Sequence, residues 1–381
     1  MNAGESMNSR TLMTRRLAAA SAVALVAGML TATPAHAAEV EVIASGLNNP
    51  RQLSFAPGGT LYVAEAGVRG DSEKCSVHPE LGEFCLEFTG SLARVDRGGR
   101  VKRVVTGLPS ISSEAETLGP FDIAFTGKHT FALTIGLGGS PEFRDGFGRK
   151  GALLGTVVTG NLHRHKDAKV RKAFDALAFE AANNPDETDI DSNPTGIVKS
   201  GRGYVFTDSG GNSLVSTRRG GSTLAIFDPV LTTQPVPGPP PIPVGFPADA
   251  VPTDVVVGPD GARYVSQLVG FPFEQGSSTI WRVVRGHDPE PYATGLTNVT
   301  SLAFAKDGTL YAVELASNGL LTGPVGALVK VNPGEDSHET VAGGLSAPYG
   351  LAIRGDSAYV TTGSLAAADG QVIKIDLRRL S

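Results

Sequence analysis
The chain has 381 residues, of which 19% are charged and 6% aromatic, with 48 glycines and 25 prolines. Its net charge of −5 argues against a nucleic acid or an anionic membrane as partner, both of which call for a basic surface. Abundant glycine and proline suit many short strands joined by tight turns.

In chain order, residues 1–37 read as an export signal. Arg10, Arg15 and Arg16 precede an apolar run from Leu17 to Leu30, and Ala35-His36-Ala37 has the small-x-small form of a cleavage site. Cleavage near Ala37 predicts a secreted or extracytoplasmic protein, with residues 38–381 as one domain. It removes three arginines and one glutamate, leaving the remainder at −7. No other segment approaches the ~20 apolar residues of a spanning helix.

From residue 38 onward one phrase recurs six times: a Pro or Asn approach, an apolar strand, a glycine turn and a second strand. The first strands are anchored at Leu53-Ser54-Phe55, Ile123-Ala124-Phe125, Ile197-Val198, Val255-Val256-Val257, Leu302-Ala303-Phe304 and Leu351-Ala352-Ile353. Second strands include Leu61-Tyr62-Val63 and Leu310-Tyr311-Ala312-Val313, reached through turns such as Pro57-Gly58-Gly59 and Lys306-Asp307-Gly308. Such self-similarity predicts an all-β, six-bladed β-propeller. The last copy stops after its third strand, and Glu39 to Ala44 reads as the missing outer strand. The N-terminal strand is therefore expected to close the ring and cover an edge.

The spacings between anchors are 70, 74, 58, 47 and 49 residues, so the excess marks insertions. The first carries Cys75 and Cys85, and for an exported chain a local disulfide is the expected state. In the second, Val170, Ala173, Phe174, Leu177, Ala178 and Ala181 fall at helical spacing, predicting a short inserted helix that ends at Asn183-Asn184-Pro185. The third, Gln234 to Pro247, is proline-rich and reads as a stiff surface loop. Gly136-Leu137-Gly138-Gly139 shows no helix start behind it and is read as a turn. His78, His129, His163, His165, His287 and His338 are dispersed and read as solvated side chains.

Residues that enter the innermost strands line the channel of such a fold. The ligand-binding candidates there are Arg51, Asp122, Asn193, Asp254, Asn298 and Tyr349. Asp122 and Asp254 occupy matching places, each two after a proline, and could hold Ca²⁺ or another divalent cation with amide oxygen from Asn193 or Asn298. Glu65, Asp208 and Glu314 end second strands, with Gln267 in the same place; carboxylates there commonly accept turn N–H groups. There is no Gly-x-Ser-x-Gly elbow, and no catalytic residue is assigned.

Several longer phrases resemble the ScyD/ScyE family of exported bacterial proteins. They include Gly46-Leu47-Asn48-Asn49-Pro50-Arg51-Gln52-Leu53, Glu180-Ala181-Ala182-Asn183-Asn184-Pro185-Asp186 and Asp191-Ser192-Asn193-Pro194. More distantly, the repeat is similar to NHL-repeat and gluconolactonase-type propellers. That second resemblance implies a divalent metal held by acidic and amide residues at the channel, although the Gly-Glu-Gly-Pro phrase of those lactonases has no counterpart here. The expected function is a monomeric binding module for a small molecule, glycan or protein. The alternative is a metal-dependent hydrolase of the lactonase type.

Overall fold
The computed structural model describes residues 39–162, 169–236, 240–365 and 367–378. The expected signal peptide, His163, His165 and the centre of the proline-rich loop lie outside the described residues. The rest is a β-propeller fold of antiparallel sheets.

Among the described residues, six larger sheets follow one another, each built around one copy of the repeated phrase. Their innermost strands are Pro50–Phe55, Pro120–Phe125, Pro194–Ser200, Pro252–Val257, Val299–Phe304 and Leu351–Arg354. Each innermost strand touches the innermost strand of the next sheet, and that of the sixth touches that of the first. Val40–Leu47 lies beside Gly370–Asp376 as the outer strand of the sixth sheet, with Val40 opposite Ile375 and Val42 opposite Ile373. The two ends of the described chain thus share one sheet. Leu47, fully buried, packs with Leu53, Val63, Ala93 and Val372 where that sheet meets the first.

Turn chemistry and burial explain the strands. In the turn after Phe55, Gly59 takes φ +77° and donates its N–H to Ala56 O at 2.7 Å, a geometry that a side chain would strain. The second strand that follows, Leu61–Glu65, is buried along its whole length. Between the first and second sheets, Leu92, Ile111, Phe131 and Leu133 are buried in one cluster. Each such side chain contributes roughly 1.5–3 kcal/mol.

The insertions differ in part from expectation. The first forms a strand, Cys75–His78, paired with Gly82–Val95, and Cys75 faces Cys85 across the ladder in a disulfide. The helix α1, Pro141–Gly146, begins two residues after Gly139, where no helix was expected. Ser140 caps it, accepting from Phe143 N at 3.2 Å, and Pro141 sits where a missing N–H costs nothing. Phe143 packs edge-on against His78 and Phe84, so His78 is buried rather than solvated. Its Nδ1 accepts from the backbone N–H groups of Glu80 and Leu81.

The second inserted helix, α2, spans only Ala176–Asn183. Arg171–Asp175, read as its first turn, is instead the outer strand of the second sheet, paired with Thr156–Asn161. Asp175 separates strand from helix by accepting from Ala178 N at 3.1 Å while binding Arg144 at 2.7 Å. No helix among the described residues is long and apolar enough to cross a membrane.

Candidate functional site
Every innermost strand opens with, or in the sixth sheet begins at the last position of, the same four-position phrase, and its second and third positions build two layers around the channel axis. The second position holds Arg51, Phe121, Thr195, Thr253, Thr300 and Tyr349; the third holds Gln52, Asp122, Gly196, Asp254, Ser301 and Gly350. All twelve are buried.

In the entry layer, Arg51 lies between two rings, its guanidinium carbon 5.2 Å from the Phe121 centroid and 5.0 Å from that of Tyr349. Its terminal nitrogens donate to Thr117 O at 2.8 Å and Ser364 O at 3.2 Å. Burial lowers the Arg51 pKa and pushes the Tyr349 hydroxyl up to about 12. The threonines stitch each sheet to the next: Thr253 Oγ1 donates to Val299 O and Thr300 Oγ1 to Tyr349 O, both at 2.7 Å. This layer is packed.

The next layer holds the two carboxyl groups. Asp122 accepts from Ile123 N at 2.6 Å and, across the sheet boundary, from Ile197 N at 2.7 Å. Asp254 repeats the pattern, accepting from Val255 N at 2.7 Å and from Leu302 N of the next sheet at 2.9 Å. Gly196 stands between them in the phrase order, and a Cβ there would come within 2.5 Å of Asp254 Cα. Burial raises both pKa values, and the charge of Asp254 raises that of Asp122 further. Gln52 reaches past Gly350 to the fifth sheet, donating to Thr300 O at 2.9 Å and accepting from Ser301 Oγ at 2.8 Å. The same Ser301 hydroxyl is 3.1 Å from Asp254 Oδ2, so its one proton serves either acceptor.

Two residues further on, the strands carry Ser54, Ala124, Val198, Val256, Ala303 and Ala352 on the same face. These small side chains leave a cavity of about 390 Å³, lined by the innermost strands of all six larger sheets and bounded at one end by Gln52, Asp122 and Asp254. A separate groove of about 480 Å³ lies between the first and sixth sheets, lined by Arg94, Arg97, Arg354 and Lys374 among others, away from the carboxyl pair.

The six candidate residues therefore separate into three pairs. Asp122 and Asp254 share the cavity end, and Arg51 and Tyr349 stack in the entry layer. Asn193 and Asn298 lie before their strands: Asn193 Oδ1 accepts from Leu137 N at 3.2 Å, and Asn298 Nδ2 donates to Leu268 O at 2.8 Å. Neither amide is hydrogen-bonded to the carboxyl pair, and neither lines the cavity. All four oxygens of the pair already accept N–H groups, so these four residues do not form a ready ligand set for a divalent cation. The strand-end acids serve the loops. Glu65 accepts from Asn48 N at 2.8 Å, Asp208 from Asn193 N at 2.6 Å and Glu314 from Thr297 N at 2.9 Å.

Among the described residues, the one group of three metal-ligating side chains already at mutual ligand distance is Cys75, Glu83 and Cys85, whose sulfurs are joined in the disulfide. Sequence reasoning passed over Glu180 and Asp191 as site residues. Both are held against the turn that follows Asp208, and the only trace in the sequence is the density of acids between 180 and 191.

No protein-family model and no curated protein matches the chain. Solved structures do resemble it. A Thermus thermophilus protein described as an oxidoreductase (glucose dehydrogenase) is 17% identical over 89% of this chain and 99% of its own, with a TM-score of 0.53. The gluconolactonase XC5397 of Xanthomonas campestris is 10% identical over 90% of each chain, also at 0.53. A Bacteroides thetaiotaomicron protein of unknown function is 9% identical over 88% of this chain and 75% of its own, at 0.50. At these identities the likeness is one of fold.

Proposed function
We propose that the protein is an exported, six-bladed β-propeller, closed by its own N-terminal strand after cleavage near Ala37, that binds a small molecule in its channel. The ring reading is supported by six successive sheets with neighbouring innermost strands and by the pairing of Val40–Leu47 with Gly370–Asp376. The binding reading rests on one observation: the cavity of about 390 Å³, to which every larger sheet contributes. That volume lies in the range of small-ligand sites. Gln52 and the carboxyl pair at its end favour a compact ligand bearing hydroxyl or amine donors.

The test is a thermal-shift and calorimetric screen of polar small molecules against the wild type and the cavity-filling variants Ala303→Trp and Ala124→Phe. Ligands should stabilise the wild type and lose affinity at least tenfold in the variants. Undiminished binding in both would remove the ligand from the channel.

A second reading, a hydrolase of the lactonase type, is favoured by the two carboxyl groups facing one cavity. It requires lactone hydrolysis that falls in Asp254→Asn and a bound metal that the same substitution removes. A panel without turnover ends it.

A further inference from the structure
A second acidic group lies apart from the channel pair, between α2, the segment 184–192 and the turn after the second strand of the third sheet. Glu180 is fully buried, and neither of its carboxylate oxygens has a hydrogen-bond donor. Asp191 Oδ1 is buried and equally without one. Asp208, 1% exposed, adds a third negative charge, but its oxygens are already taken, by Ser192 Oγ at 2.7 Å, Asn193 N at 2.6 Å and Gly211 N at 3.4 Å.

Two adjacent glycines make room for it. A Cβ on Gly211 would lie 2.5 Å from Glu180 Oε2, and one on Gly210 would lie 2.7 Å from Asp191 Oδ1. The charges acting on Glu180 are Asp208, Asp186 and Asp191, and those acting on Asp191 are Asp208, Asp249 and Glu80. Every one is negative. A buried carboxylate with no donor and only like-charged neighbours is strongly unfavourable until a counter-charge arrives. A proton would neutralise one acid. A hard divalent cation would answer the whole group, because it takes carboxylate and carbonyl oxygens together.

We propose that Glu180 and Asp191, with the charge of Asp208 beside them, form a site for a divalent cation of the calcium kind, which fastens α2 and the segment 184–192 to the Gly210-Gly211 turn. The three carboxylates do not all lie within 4.8 Å of one another, so the ion would draw the unpartnered oxygens of Glu180 and Asp191 together. The site is independent of any ligand in the channel.

The experiment uses the full chain, stripped with chelator and titrated with CaCl₂ by calorimetry, followed by thermal melts. One ion should bind, and saturation should raise the Tm by roughly 5 °C. Glu180→Gln should abolish the heat and the shift, yet melt cooperatively at or above the ion-free wild-type Tm because the amide removes an unmatched charge. Asp122→Asn should keep both responses. The proposal is overturned if the wild type binds no calcium or if Glu180→Gln binds as tightly. It is equally overturned if Glu180→Gln melts well below the ion-free wild type, or if Asp122→Asn loses the ion.

Discussion

The molecule buries two groups of acids in opposite ways. In the channel, Asp122 and Asp254 each accept an N–H from their own strand and another from the next sheet. Under α2, Glu180 is as deeply buried and accepts none. Burial alone would mark both as sites, and donor accounting separates them: the first pair latches neighbouring sheets, while Glu180 waits for a counter-charge.

The comparison breaks most sharply if the channel acids are dispensable. Asp254→Ala leaves the N–H groups of Val255 and Leu302 buried without acceptors, and should cost about 3–5 kcal/mol in urea unfolding. A loss under about 1 kcal/mol would mean that the latch carries little. Arg51→Ala empties the space between Phe121 and Tyr349 and should cost about 2–4 kcal/mol. Arg51→Lys should recover only part of it, because an ammonium cannot stack as a planar guanidinium does.

Loss of the Cys75–Cys85 bridge, as Cys75→Ser with Cys85→Ser, should cost roughly 2–3 kcal/mol, since it closes a short loop. Proteolysis should map the loosening to residues 68–89 and leave the channel intact.

A smaller effect is the pH profile. Both channel acids have folded pKa values raised by burial. The unfolded chain therefore ionises first as pH rises from about 4, and stability falls through neutrality, by at most about 1.4 kcal/mol per pH unit for each proton held. Below the ordinary carboxylate pKa both states are protonated and the contribution is complete. Asp122→Asn should flatten this fall between about pH 5 and 8 in chelator, and an unchanged slope would show that the pair does not hold the extra proton.

Much of the fold was legible because each copy of the phrase encodes its own hairpin. Leu61-Tyr62-Val63 and Leu310-Tyr311-Ala312-Val313 announce buried second strands, and the glycine turns fix the hairpins. Residues 171–175 misled for a physical reason: Ala173, Phe174, Leu177 and Ala178 fit a helical stripe, but strand pairing with Thr156–Asn161 claims the first part. The channel acids were legible as matching positions in two copies, whereas their hydrogen-bond partners, Ile197 and Leu302, belong to the following sheets. Glu180, Asp191 and Asp208 come from three segments that only the fold assembles, so no spacing rule could join them.

The central contrast is tested most directly by counting calcium on three purified proteins after dialysis against the same micromolar buffer. The account predicts one ion on the wild type, one on Asp122→Asn and none on Glu180→Gln. An ion kept by Glu180→Gln and lost from Asp122→Asn would contradict it, and would return the cation to the channel.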